Sequence, residues 1–232
     1  MVDVFIENIV ITNLATLKIY KTKEELGSEY TNIEQFKTQI IKCKTILEDC
    51  IKNRPSTQDA KTINIYLGKD GWTSDSNTLG EAGNNIIRIN QWNTGQYNLN
   101  DTEEHQNISV IIHEIFHIFG LFPGIIGGNI ENITYNINDV DEKTRRIYKG
   151  AKGLNGYKKV LLANNITVPD PIFICLEDDF DSGTKNVHLE EGYHDETSNN
   201  PLGNEVIEIN GQYYPSLHNE IMSGLLDRTN NY

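Results

Sequence analysis

Two histidines and a glutamate lie close together in the sequence His-Glu-Ile-Phe-His at residues 113 to 117. Residues four apart on a helix project from the same face, so the imidazoles of His113 and His117 can bind one tetrahedral metal ion. Glu114 is about 100° around the helix from His113, where its carboxylate can reach a water at the metal without becoming a ligand. The spacing predicts Zn2+ held by His113 and His117, with Glu114 as general base.

An apolar segment surrounds these three polar residues and must position them. Ionisable side chains inside a buried helix are costly unless they bind something, so this setting favours a metal site over a chance match. Asp101 followed by Glu104 resembles a capping box, and Gly120 is a helix-ending residue, which together predict a helix between them. The apolar neighbours are Val110, Ile111, Ile112, Ile115, Phe116, Ile118 and Phe119.

The chemistry expected of such a site is hydrolysis of peptide bonds. Zinc lowers the pKa of its bound water toward about 7 and polarises the scissile carbonyl. Glu114 would take the proton of the zinc-bound water and pass it to the leaving amine. We therefore expect a zinc-dependent endopeptidase whose partner is a protein or peptide substrate.

The stretch His-Glu-Ile-Phe-His-Ile-Phe-Gly resembles the metzincin form of the motif, in which the glycine turns the chain toward a third ligand. The position where most metzincins carry that ligand is Pro123 here, which cannot bind metal. Leishmanolysin-like metzincins have a long insertion before the third histidine, and this chain resembles them. The segment Asn219-Glu-Ile-Met-Ser-Gly224 is similar to their methionine turn, and residues 78 to 90 are similar to their stretch before the active-site helix.

This resemblance implies a third histidine ligand and an apolar floor beneath the metal. His188, in His188-Leu-Glu-Glu191, is the closest match to the family's sequence at that ligand. His194 is the main alternative, and His218 is another, although it lies very near Met222. Met222 would form the floor. The implied metal ligands are His113, His117 and His188.

The fold expected from these features is an α/β (α+β) zincin fold of the metzincin type. Residues 1–122 would form an N-terminal subdomain with a mixed twisted sheet, a backing helix and the active-site helix. Residues 123–232 would form an irregular C-terminal subdomain with the third zinc ligand and the methionine turn. Periodicity predicts strands at Val2–Ile11, Lys61–Leu67 and Asn85–Gln91, a loop at Gly68–Gly83, and helices at Thr31–Ile51, Asp139–Tyr148 and Tyr157–Ala163.

Composition excludes several other classes of protein. The chain has 232 residues, 38% of them hydrophobic, and a net charge of −13, which argues against nucleic acid as a partner. The apolar runs are too short for a membrane span, and the three cysteines are too few for a disulfide framework. We expect a monomer. The N-terminus lacks a signal peptide, which fits either an intracellular protein or the mature form of a secreted one.

Two alternatives to the metzincin interpretation stay open. In a gluzincin the third ligand is a glutamate on a later helix, for which Glu131 and Glu142 are available. Gly120 and the methionine turn disfavour this alternative. The other alternative is a catalytically inactive zincin-fold binding protein, which retention of Glu114 disfavours.

Two further features are expected to be structural. The acidic stretch from Glu177 to Gly183 lacks the ligand spacing of an EF-hand, so we expect a solvated loop rather than a calcium site. Tyr213 and Tyr214 could offer a phenol to an oxyanion, but we expect them to be packing residues.

Overall fold

The computed structural model shows a mixed α+β fold, with three helices and three sheets among the residues that it describes. These residues form two compact units, one ending at Phe119 and the other following it. None of the described helices is long and apolar enough to cross a membrane. The described ranges are residues 4–12, 14–21, 33–51, 60–68, 78–90, 101–119, 129–137, 141–178, 188–190 and 202–217.

A five-stranded sheet, in the order β1-β2-β3-β5-β4, forms the centre of the first unit. Strands β2, β3 and β5 run parallel, whereas β1 and β4 are antiparallel to their neighbours. Two helices pack against each other and against this sheet. The elements are β1 (Val4–Ile11), β2 (Ala15–Lys21), α1 (Ile33–Ile51), β3 (Lys61–Gly68), β4 (Gly80–Gly83), β5 (Ile86–Asn90) and α2 (Asp101–Ile118).

Alternating burial explains why these segments form a sheet with one buried face. Ile63, Ile65 and Leu67 of β3 are buried, whereas Asn64 and Tyr66 between them are partly exposed. On the partly exposed face, Tyr20 stacks on Tyr66 at a centroid distance of 5.0 Å, and Phe5 meets Tyr20 edge-on at 5.7 Å. Phe5, Tyr20 and Tyr66 are opposite one another in the strand register, so they form a cross-strand aromatic row.

The predicted elements of this unit are largely confirmed. Strands β1, β3 and β5 and helices α1 and α2 lie within one or two residues of the predicted bounds over the described residues. Strand β2 was not predicted. Strand β4 lies inside the predicted loop Gly68–Gly83, so that prediction is wrong at its C-terminal end.

The second unit contains a three-stranded antiparallel sheet, a two-stranded hairpin and one helix. Its apolar core includes Ile147, Cys175 and Ile207, and Tyr214 stacks on Phe173 at a centroid distance of 3.9 Å. The expectation that both tyrosines are packing residues is confirmed for buried Tyr214 and is wrong for Tyr213, which is exposed. The elements are β6 (Ile130–Ile137), β7 (Asp141–Tyr148), α3 (Ala151–Ala163), β8 (Ile174–Cys175), β9 (Leu202–Ile209) and β10 (Gln212–Leu217).

The predicted helix at Asp139–Tyr148 is wrong, because Asp141–Tyr148 is strand β7. Its charged residues fit a helix as well as a strand when they are considered alone. Pairing decides the outcome: β7 pairs along its full length with β6 and also pairs with β8. Arg145 and Ile147 are buried, whereas Thr144 is exposed and Arg146 partly exposed, which is the period of a strand. The predicted helix at Tyr157–Ala163 is confirmed as the C-terminal half of α3.

Candidate metal centre

Helix α2 carries the first three predicted site residues on its C-terminal turns. Ile111, Ile112 and Ile115 are buried and fix the rotation of the helix, so that His113 and His117 are partly buried on another face. The C-terminal end of α2 is linked to the sheet, because the Lys61 ammonium of β3 donates a hydrogen bond to the Ile118 carbonyl at 2.8 Å. Such a bond satisfies one of the carbonyls that a helix leaves unpaired at its C-terminus.

The two imidazoles point toward one place, as the spacing predicted. The Nε2 atoms of His113 and His117 are 2.9 Å apart, and their rings meet edge-on at a centroid distance of 4.6 Å. Two nitrogens about 2.0–2.1 Å from a tetrahedral metal stand roughly 3.3 Å from each other. A shift of a few tenths of an ångström would therefore convert this contact into a pair of metal ligands.

Glu114 follows His113 on α2, and its side chain is buried. It is 5% exposed, and its Oε2 atom has no hydrogen-bond partner among the residues that the structure describes. Burial, and to a lesser extent the nearby charge of Glu81, together raise the pKa of Glu114 to about 8. A buried carboxylate oxygen without a partner is costly in an ordinary core, so this side chain has the character of a functional group.

Strand β4 passes very close to this carboxylate, a contact that sequence reasoning missed. A Cβ atom added at Gly80 would lie 2.9 Å from Oε1 of Glu114. Real Cβ atoms essentially never approach another heavy atom so closely, so a side chain at position 80 would force the Glu114 carboxylate to move. The glycines at positions 80 and 83 favour a loop when the sequence is considered alone, which is why the contact was not predicted.

The donor set of the first unit fits a zinc ion. Two imidazole nitrogens are near the separation that tetrahedral zinc requires, and the adjacent carboxylate has an oxygen available to accept a proton. Catalytic zinc sites use three protein ligands and leave one position for water or substrate. His113 and His117 would supply two of these ligands if zinc were bound.

His188 belongs to the second unit, where it is 5% exposed. It begins the short segment His188–Glu190, whose Leu189 pairs antiparallel with Leu176 just after β8. Its role as a ligand stays a prediction. The alternative ligands His194 and His218, together with Gly120, Pro123 and Met222, lie outside the described residues.

The two glutamates considered for a gluzincin lie on strands rather than on a helix. Glu131 is exposed on β6, where its carboxylate accepts a hydrogen bond from Lys149 at 3.0 Å. Glu142 is exposed on β7. A gluzincin needs its third ligand on a helix, and neither Glu131 nor Glu142 lies on one.

A buried charge network in the second unit was not predicted. The Arg145 guanidinium donates to Asp178 and to Glu190, both at 2.9 Å. Glu177 is fully buried and Asp178 is partly buried, so the predicted solvated loop is wrong at these two residues. The partners are 33 and 45 residues from Arg145, and nothing in the local pattern around Arg145 indicates such pairing.

Comparison of the chain with protein families, curated proteins and solved structures finds no match. The residues that bear most directly on function are His113, Glu114 and His117 on α2.

Proposed function

We propose that the chain is a zinc-dependent endopeptidase of the metzincin type, with His113, His117 and His188 as zinc ligands and Glu114 as general base. The observation that carries the proposal is the arrangement on α2. Two histidine nitrogens lie 2.9 Å apart, beside a buried carboxylate whose Oε2 atom has no partner among the described residues. This combination suits metal-assisted hydrolysis better than a structural role.

Each residue on α2 has a defined task in this proposal. When bound, zinc acidifies a water molecule and polarises the scissile carbonyl. His113 and His117 hold the ion from a helix that is fixed by its buried face and by Lys61. Glu114 accepts the proton of the attacking water and then donates it to the leaving amine. The carboxylate is buried and held against β4, so little reorganisation is needed for either transfer.

The third ligand is proposed to be His188, because an open catalytic zinc site needs one more protein ligand. His188 is the only histidine in the part of the second unit that the structure describes, and it is buried. Its hydrogen-bonded segment would hold the imidazole in a defined direction. The long separation from His117 agrees with the leishmanolysin-like pattern of the sequence, as does the segment around Met222.

The substrate is proposed to bind as an extended peptide along β4. This strand is at the end of the described sheet and pairs only with β5 there, so its other edge can accept a further strand. Gly80 of β4 lies against Glu114, which brings this edge close to the general base. Main-chain hydrogen bonds to β4 would therefore align a peptide bond near Glu114.

The decisive experiment measures zinc content and casein hydrolysis for the native chain and for Glu114→Gln. We expect about one zinc per chain in both proteins and a loss of hydrolysis of at least about 10²-fold in the variant. Glu208→Gln is the matched control, since Glu208 is an exposed carboxylate on β9 with no part in the proposed site. Zinc binding without hydrolysis in the native chain would instead support the inactive binding protein.

A second measurement identifies the third ligand. His188→Ala should lower zinc affinity, whereas His194→Ala and His218→Ala should leave it unchanged. If His194→Ala is the variant that loses zinc, the ligand is His194 and the peptidase proposal survives with a different third residue. Loss of zinc in none of the three would contradict the histidine assignment altogether.

A further inference from the structure

The segment His188–Glu190 is held to its neighbours by backbone hydrogen bonds. The Glu177 amide donates to the His188 carbonyl, and the Glu190 amide donates to the Cys175 carbonyl, both at 3.1 Å. On the other side, the Leu217 amide donates to the Glu190 carbonyl at 2.8 Å. Three residues thus form a short strand between the end of β8 and the end of β10.

Side-chain direction alternates along this short strand. Leu189 is buried opposite Leu176, so His188 and Glu190 both project to the other face. A shift of one residue in the pairing would turn both side chains over at once. Whatever fixes the direction of Glu190 therefore also fixes the direction of His188.

The side chain of Arg145, on β7, forms an ion pair with the side chain of Glu190. The Nη1 atom of Arg145 donates a hydrogen bond to Oε2 of Glu190 at 2.9 Å. Both side chains are buried, with 5% of Arg145 and 3% of Glu190 exposed. The same guanidinium binds both carboxylate oxygens of Asp178, with Nε at 2.9 Å from Oδ2 and Nη2 at 2.5 Å from Oδ1. The planar Arg145 guanidinium thereby links Glu190 to Asp178. These two residues belong to the two segments that the Leu176–Leu189 pair holds in register.

We propose that Arg145 is a positioning residue that fixes the direction of the His188 imidazole for zinc binding. The inference rests on the proposed function, which makes His188 a zinc ligand. The network itself is not a metal site in this interpretation. Carboxylate oxygens of Glu177, Asp178 and Glu190 lie within 4.8 Å of one another, and the Arg145 guanidinium supplies the cation that offsets their charge.

Substitution of Arg145 by lysine separates charge from geometry. A lysine keeps the positive charge but lacks the planar fork that binds two carboxylates together. We expect Arg145→Lys to fold and to bind zinc about 10- to 100-fold more weakly, as is typical when a partner of a ligand segment is lost. Lys149→Met is the matched control, because Lys149 forms an exposed ion pair with Glu131 in the same hairpin and should bind zinc normally.

The readout is the zinc dissociation constant of the full chain by competition with a chromophoric chelator, with circular dichroism reporting the fold. The spectrum of the cobalt-substituted protein reports ligand geometry, and it should change in Arg145→Lys but not in Lys149→Met. If Arg145→Lys does not fold, Glu190→Gln provides the same test, since it keeps the side-chain shape and removes the charge that Arg145 binds. That variant should weaken zinc binding several-fold.

Measurements on the His188→Ala variant distinguish the claim that His188 is a zinc ligand from the claim that Arg145 positions it. If Arg145 acts through His188, adding Arg145→Lys to His188→Ala should weaken zinc binding no further. A folded Arg145→Lys with native zinc affinity and a native cobalt spectrum overturns the positioning role, provided that His188→Ala does weaken binding. If His188→Ala binds zinc as tightly as the native chain, the assignment of His188 as ligand has failed instead.

Discussion

Alanine at position 80 should displace the general base without disturbing the two histidine ligands of α2. The added Cβ atom would lie 2.9 Å from Oε1, 3.1 Å from Cγ and 3.2 Å from Cδ of Glu114. Ordinary van der Waals contact begins near 3.4 Å, so the carboxylate would have to retreat by about 0.5 Å. Glu114 is 5% exposed and its helix is packed, which leaves little room for a free adjustment.

The size of the effect follows from this displacement. A misplacement of about 1 Å at a reacting group costs roughly 10²-fold in rate, so half of that distance should cost about 10-fold in kcat/KM. This corresponds to about 1.4 kcal/mol of transition-state stabilisation. Overpacking should lower the free energy of unfolding by about 1–3 kcal/mol. Zinc affinity should stay at its native value, because neither His113 nor His117 lies among the atoms nearest to the added Cβ.

The assay is hydrolysis of a fluorogenic peptide by zinc-loaded protein, with zinc affinity and urea unfolding measured on the same samples. Gly83→Ala is the matched control, because Gly83 is at the other end of β4 and a Cβ there meets nothing within 4 Å. It should retain native activity. A folded Gly80→Ala with native kcat/KM would refute the contact between β4 and the general base, and so would an equal loss in Gly83→Ala.

Three other predictions concern metal linkage, pH and packing. Zinc at about 100 times its dissociation constant should raise the free energy of unfolding by about 2.7 kcal/mol in thermal scans, and His113→Ala should abolish this gain. The Thr12 amide, and then Lys44, hold the pKa of Glu48 down at about 2. Glu48 therefore stabilises the fold fully above its unfolded pKa of about 4.3, and this contribution is lost as pH falls toward 2. The stability difference between native protein and Glu48→Gln in urea titrations should shrink over that window, and a constant difference would contradict the assignment. Tyr20→Leu should lose about 0.5–1.5 kcal/mol per aromatic contact with Phe5 and Tyr66, whereas Tyr213→Leu, at an exposed position, should change stability by less than about 0.5 kcal/mol in the same titrations.

Local patterns account for the elements of the fold that the sequence predicted correctly and for the close approach of the two histidines on α2. Helix α1 has apolar residues at helical spacing, and β3 alternates Ile63, Ile65 and Leu67 with polar residues, so each element is encoded within its own segment. The pairing of His113 with His117 is likewise local, because one helical turn brings them together.

Long-range pairing explains the errors. Strand β4 is only four residues long and begins and ends with glycine, and it exists because it pairs with β5, where Arg88 also binds Glu81. Strand β7 is charged enough to suit a helix, and its state is set by β6 and β8 on either side. The partners of Arg145 are distant in sequence, and their meeting depends on strand order that no local period encodes.

The hydrogen bond between Lys61 and the Ile118 carbonyl has a consequence for local unfolding. His117 is next to the last residue of α2, in the turn where helices ordinarily fray first. Because Lys61 begins the buried strand β3, opening of this turn must break a link to the central sheet as well as the helical hydrogen bonds. The two histidines should therefore open with the sheet as one cooperative unit, and their amide hydrogens should exchange as slowly as those of β3.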